Sequence, residues 1–179
     1  MKTALLVVDV QNGFLNDFTS HIPARVATLI ERGDYPETLF TWFVNPEGSP
    51  FRRFLAWEHC ATEPETLLAE EIAGFASPDR LFSKPGYAGI SDELRDYLER
   101  GGIERVGLVG IDTDMCVLKV ALDLFDLNIE PIVYVDCCAS TAGLQTHLAG
   151  LAVLARNIGA DRLRDAGLGG GTLAAPMER

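Results

Sequence analysis

The sequence predicts an α/β fold: a three-layer α/β/α sandwich around a mostly parallel, doubly wound sheet. Three observations carry that reading. Short runs rich in valine recur along the chain, and they are apolar throughout instead of alternating, as strands buried on both faces are. Between them lie stretches with helical spacing and helix start and stop residues. Strands and helices that alternate in this way form a parallel sheet with helices on both faces, and right-handed crossovers leave few topologies open.

The elements follow in order. "ALLVVDV" (4–10) is a continuous β-branched strand, and "HIPARVATLIERG" (21–33) is a helix with Pro23 near its start and Gly33 at its end. "TLFTWFV" (38–44) is an aromatic strand after Pro36, and "DRLFSK" (79–84) is a weaker one. "SDELRDYLERGG" (91–102) opens on Ser91, spaces Leu94 and Leu98 four apart, and places Asp92 and Glu93 where the helix dipole favours acids. "RVGLVGI" (105–111) and "PIVYVDC" (131–137) are apolar strands, each leading to a helix, "TDMCVLKVALDLFDLN" (113–128) and "GLQTHLAGLAVLARNIG" (143–159). A last short strand falls near 161–163. No repeat or linker divides the chain, so 1–166 reads as one domain and 167–179, "GLGGGTLAAPMER", as a Gly-rich tail. Those glycines follow no strand and open no helix, so they are no phosphate loop.

Composition excludes several partners. The 179 residues are 47% hydrophobic and 23% charged, which is globular. Lys and Arg number 15 against 26 Asp and Glu, for a net charge of -11, so nothing cationic is left over for nucleic acid or an anionic membrane surface. Cysteines stand at 60, 116, 137 and 138 without a C-x-x-C pair, which points to a reducing, cytoplasmic setting. The apolar start "MKTALLVVDVQNGF" is short and broken by Asp9, and no small-residue cleavage site follows, unlike a secretion signal. No apolar run approaches the roughly 18 residues of a membrane span.

In an open parallel sheet, ligands collect at the carboxyl ends of the strands. Those ends carry Asp9, Asn45, Lys84, Asp136 and, after 105–111, the run Asp112–Cys116. An acid, an amine and a thiol therefore fall at one rim. A helix N-terminus and a nearby Lys84 would lower the Cys116 pKa, while Asp112 and Asp114 would raise it if they point inward. Asp9 could accept the thiol proton and return it to a leaving group. The backbone N–H groups of Asp112 and Cys116 could face a developing oxyanion. Singly, each has a plainer reading: Cys116 as inert core, Asp9 as a turn cap, Lys84 as a solvated lysine. Their convergence on one rim favours chemistry. His21, His59 and His147 show no ligand spacing and read as surface or helix-start residues, so no metal site is evident. Cys137 and Cys138 read as core or loop packing.

Asp9 in "LLVVDVQNGF", Lys84 in "FSKPGYAGI" and Cys116 in "VGIDTDMCV", in that order, resemble the isochorismatase-like cysteine hydrolases, which include nicotinamidases and related amidases. The resemblance runs from Ala4 to about Gly159. It implies the isochorismatase-like fold, an Asp9–Lys84–Cys116 triad, and a non-proline cis peptide before Asp112 that turns backbone N–H groups of Asp112 and Cys116 into an oxyanion hole. Nicotinamidases carry a metal-binding Asp and histidines after the second strand. Here "TWFVNPEGSPFRRFLAWEHC" has no histidine before His59, a departure that points away from their metal site. Isochorismatase itself acts on a vinyl ether without a thiol, whereas this chain keeps one. Phe14, Phe43, Asn45, Trp57 and Tyr87 near the rim suit a small, partly apolar amide.

The expected function is a metal-independent hydrolase of a small-molecule C–N bond, working through a thioester on Cys116 and needing no cofactor. Helix 113–128 is apolar on nearly all sides, and family members often assemble, so a homo-oligomer is expected. Two alternatives use the same features. One is a thiol redox or sensor protein with Cys137 or Cys138 as resolving cysteine. The other is a non-catalytic small-molecule binder.

Overall fold

A computed structural model describes residues 1–84 and 86–169. The sequence-predicted tail 167–179 therefore lies outside the described residues from Gly170 onward. Six strands form one sheet in the order β3-β2-β1-β4-β5-β6: β1 (Thr3–Val8), β2 (Thr38–Phe43), β3 (Leu81–Lys84), β4 (Arg105–Ile111), β5 (Glu130–Ala139) and β6 (Leu163–Arg164). Every strand pair is parallel. The chain winds outward from β1 through β2 to β3, then restarts at β4 on the other side of β1. The switch point, where adjacent connections leave in opposite directions and a crevice opens, lies between β1 and β4.

Side-chain alternation along the central strands separates two cores. Ala4, Leu6 and Val8 of β1 and Val106 and Leu108 of β4 face Leu94 and Leu98 of α4 (Asp92–Gly101), Val120 and Leu124 of α5 (Leu118–Asp126), and Leu151 and Leu154 of α6 (Leu144–Ile158). Leu5 and Val7, with Val109 and Ile111, face Val26 and Leu29 of α1 (Ile22–Arg32) and Ile72 of a short helix, Glu70–Ala73. Leu94, Leu98, Val26 and Leu29 are fully buried, and each such side chain contributes on the order of 1.5–3 kcal/mol. Local signals agree with these helices: Ser91 caps α4 by accepting from Leu94 N–H, and left-handed Gly33 and Gly102 end α1 and α4.

Gly110 is required where β4 meets β1. Its φ is +134°, and a Cβ there would lie 2.1 Å from the Val8 carbonyl oxygen. The β4–β5 register also shifts between Leu108 and Gly110. This irregularity sits directly before the turn that carries Cys116.

Three element readings change. The segment after β2 holds two short helices that the sequence pattern does not reveal, α2 (Pro50–Leu55) and α3 (Glu70–Ala73); helices of this length complete too few turns to show a period. The stretch 113–128 is not one α-helix: Thr113–Val117 is wound as a π turn before α5 begins. The all-round apolarity of that stretch is largely satisfied within the chain. Val117, Val120, Ala121 and Leu124 are buried and Leu118 and Leu122 pack on the core, leaving Met115 and Phe125 exposed. Among the described residues, no helix is long and apolar enough to cross a membrane.

Candidate active site

The carboxyl ends of β1, β2, β3 and β4 surround a cavity of about 420 Å³. Phe14, Phe43, Phe51, Leu55, Trp57, Tyr87 and Met115 make its apolar wall, and Lys84, Asp112, Cys116 and Thr141 supply polar groups. Phe14 stacks on Trp57 with ring centroids 6.0 Å apart, and Phe51 meets Tyr87 edge-on at 4.9 Å. Of the five sequence-predicted lining residues, Phe14, Phe43, Trp57 and Tyr87 line the cavity. Asn45 does not. It is fully buried, its amide donates to the carbonyls of Trp57 and His59, and its carbonyl accepts from Ser49 Oγ. A strand-end position suggested a pocket residue, but the amide's hydrogen bonds are all spent on holding the loop that brings Trp57 to the wall.

The acid, the amine and the thiol converge. Lys84 Nζ lies 2.8 Å from Asp9 Oδ2 and donates to Cys116 Sγ at 3.2 Å and to the Gly86 carbonyl at 3.2 Å. Asp9 is fully buried and Lys84 nearly so, while Cys116 is half-buried toward the cavity. Asp9 follows β1 with a φ of +50°. Its second oxygen accepts from Thr41 Oγ1 at 2.6 Å, and its own N–H donates back to that hydroxyl. Thr41 is thus part of the candidate site, and its signal is a buried hydroxyl in the middle of the apolar run of β2. Gln11 is another residue that sequence reasoning missed. It is fully buried and ties the Phe43 backbone and the Thr66 carbonyl to the end of β1, which fixes Phe43 against the cavity.

The electrostatics differ in one respect from the sequence reading. Burial pushes the Cys116 thiol above its ordinary value, the Asp9 carboxylate pushes it further, and the Lys84 ammonium opposes both. The resting group is therefore a thiol, not a pre-lowered thiolate. The sequence reading weighed the helix start and Lys84 but not the desolvation at the cavity floor or the nearness of Asp9. For Lys84, burial alone would lower the pKa, but Asp9 and Cys116 outweigh it and the ammonium is held above its usual range. Asp9 and Lys84 thus form an ion pair beside a thiol whose pKa is raised.

Asp112 begins the turn that carries Cys116. The Ile111–Asp112 peptide is cis. The Asp112 carboxylate accepts from Thr141 N–H at 2.5 Å and Thr141 Oγ1 at 3.0 Å. Burial nonetheless raises its pKa to about 6, with Thr141 opposing and the Asp114 and Asp9 charges adding.

The remaining candidates separate clearly. His21 precedes α1 and His59 is exposed, with Nδ1 2.9 Å from Glu65. His147 is not a surface residue: it is buried in the first turns of α6, bonded to Thr113. Among the described residues no three His, Cys, Asp or Glu side chains cluster to hold a metal ion. The histidine that follows β2 pairs with a surface glutamate, so the residues present do not fit the metal site of the nicotinamidases. Cys137 and Cys138 are buried on opposite faces of β5, one in each core, and neither lines the cavity. Burial raises both thiols, Cys137 to about 12. The two cysteines that the redox reading named thus do not reach the cavity.

Comparison with known proteins agrees with this architecture. In fold, the chain is similar to an isochorismatase-like hydrolase from Alkaliphilus metalliredigens, with a TM-score of 0.79 and 21% identity, covering 93% of this chain and 96% of the other. It is also similar to N-carbamoylsarcosine amidase from Thermoplasma acidophilum (TM-score 0.76, 24% identity, 96% and 100% covered). A third is a pyrazinamidase/nicotinamidase from Streptococcus mutans (TM-score 0.70, 24% identity, 88% and 98% covered). No curated protein sequence matches the chain. The isochorismatase domain model matches residues 3–162, nearly the whole of the described chain, and the protein belongs to the isochorismatase family.

Proposed function

We propose that the protein is a hydrolase that cleaves the C–N bond of a small, partly apolar amide through a thioester on Cys116, without a metal ion or cofactor. The observation that carries this reading is Lys84 Nζ, set 2.8 Å from Asp9 and 3.2 Å from Cys116 at the floor of an aromatic-walled cavity. Two relatives in fold are named as amidases, which is consistent with it.

The proposed steps use these residues in turn. Asp9 takes the thiol proton as sulfur bonds to the carbonyl carbon, and the C=O electron pair moves to oxygen. The backbone N–H groups of Asp112 and Cys116 are the proposed donors to that oxyanion. As the tetrahedral adduct collapses, the C–N bond breaks and Asp9 returns its proton to the nitrogen, leaving a thioester. Asp9 then deprotonates a water, which attacks the thioester and releases the acid and the thiol. Lys84 pairs with Asp9 and steadies the sulfur anion as it forms. Phe14, Phe43, Trp57 and Tyr87 contact the apolar part of the substrate.

A cytoplasmic, homo-oligomeric protein completes the proposal. All four cysteines are unpaired, as a reducing compartment allows, and Phe125, Leu144 and Leu148 leave apolar surface exposed. The test of the enzyme reading is turnover of an amide panel with intact-mass detection of an acyl adduct. Turnover with an adduct on Cys116 supports it, and peroxide-sensitive thiol chemistry with no amide cleavage overturns it.

A further inference from the structure

Helix α6 lies directly against the turn that carries Cys116. Gly150 makes that approach possible: a Cβ there would sit 2.8 Å from Asp114 Cα and 2.9 Å from Asp114 N. One turn earlier on the same face, His147 Nδ1 lies 2.7 Å from Thr113 Oγ1. Thr113 is fully buried and His147 is 2% exposed, so the bond is shielded from water. Thr113 opens the π turn Thr113–Val117, three residues before the sulfur. Such a turn is a local departure from the i→i+4 ladder and needs support from outside itself. His147 Nε2 and Asp114 Oδ1 have no hydrogen-bond partner, and both are buried in this region. Retaining a polar group with an unmet donor or acceptor in a core is costly, and it calls for a role that an apolar residue could not fill.

We infer that His147 is a positioning residue for the nucleophile: through Thr113 it anchors the start of the π turn to α6 and so holds Cys116 Sγ in line with Lys84 and Asp9. The inference deepens the hydrolase reading and rests on it for the effect on turnover. The effect on thiol reactivity does not depend on that reading. Burial holds the His147 ring below the ordinary histidine range, Asp114 opposes this and His21 adds to it, so the anchor is a neutral imidazole at neutral pH. Thr113 and His147 do not line the cavity, so their proposed effect runs through the placement of the turn.

The test uses Thr113→Val, Thr113→Ser, His147→Leu and the Thr113→Val/His147→Leu double variant of the whole chain. Each is assayed for melting temperature, for kcat and KM on the best amide of the panel, and for the rate at which iodoacetamide alkylates Cys116. A single variant leaves one buried polar partner unpaired and lowers the melting temperature. The double variant removes both partners and recovers much of it. A merely structural pair therefore predicts that activity recovers with stability. A positioning pair predicts that the double variant stays low in kcat, on the order of 10- to 100-fold below wild type with KM little changed, because a displacement of about 1 Å is felt at that scale. Thr113→Ser, which keeps the hydroxyl, should stay near wild type. The alkylation rate should change in Thr113→Val and the double variant but not in Thr113→Ser. If wild type cleaves no amide, the hydrolase reading fails and the alkylation comparison alone decides this inference. Wild-type kcat in the double variant overturns it. So does an alkylation rate that is the same in folded Thr113→Val and wild type.

Discussion

Lys84 and Asp9 form an ion pair of 2.8 Å in the floor of the cavity, with both side chains sealed from solvent. Two charges in such a place are stable only together. Removing one partner from a buried pair costs about 3–5 kcal/mol because the other charge is left uncompensated. The pair also reaches the sulfur, since Lys84 donates to Cys116 Sγ at 3.2 Å.

Cys116→Ala should abolish amide turnover while the fold persists, because the residue is small and half-buried. Cys116→Ser should retain little, since a hydroxyl is far harder to ionise. Mass spectrometry should find the acyl adduct only when Cys116 is present. Full activity in the alanine variant would end the hydrolase reading.

Asp9 and Lys84 act on the thiol with opposite sign. Asp9 pushes the Cys116 pKa up and Lys84 pulls it down. Lys84→Met should therefore move the pH midpoint of Cys116 alkylation upward, and Asp9→Asn should move it downward. Turnover should fall in both, by on the order of 10²–10⁴-fold for Asp9→Asn, which cannot take the proton. Lys84→Arg should recover only part, since the guanidinium is larger and differently hydrated. Coincident alkylation curves for wild type and both variants would remove the triad.

Asp112 makes stability depend on pH. Its folded pKa of about 6 stands above the ordinary 3.8, so between those values the folded protein holds a proton that the unfolded chain has released. The stabilisation from that proton is complete below pH 3.8 and is lost as pH rises through about 6, a change of roughly 3 kcal/mol. Asp112→Asn has no charge to desolvate. Its stability relative to wild type should rise between pH 4.5 and pH 7.5, read by urea unfolding at each pH. Parallel curves for the two proteins would show that Asp112 titrates normally.

Chelation should leave turnover unchanged, because the proposed steps use the side chains of Asp9, Lys84 and Cys116 alone. Loss of activity in EDTA with recovery on added zinc would show that a metal ion takes part.

Assembly is read by sedimentation. Exposed Phe125, Leu144 and Leu148 give a second copy an apolar surface to cover, and a mass of two or more chains is expected. A single species at the 19.5 kDa monomer mass would refute it.

The sequence by itself determined the layered fold and which acid, amine and thiol stand at the sheet's rim. Valine-rich runs such as "RVGLVGI" mark strands buried on both faces, and a polar residue that ends such a run must stand at the sheet's rim, so Asp9, Lys84 and Cys116 could be read from one dimension. Tertiary structure alone decided what each rim residue does. Asn45 and Asp9 both follow apolar strands, yet one is spent on loop carbonyls and the other on an ion pair, because that choice depends on which loop folds over each strand end. The same holds for the direction of the Cys116 pKa, which follows from burial and from a carboxylate more than a hundred positions away in sequence. It holds as well for His147, which reads as a surface or helix-start histidine until α6 is laid against the π turn through Gly150. Periodicity and spacing report the path of one segment. Desolvation, charge partners and hydrogen-bond anchors are set by segments far apart in the chain, and only the fold brings these together.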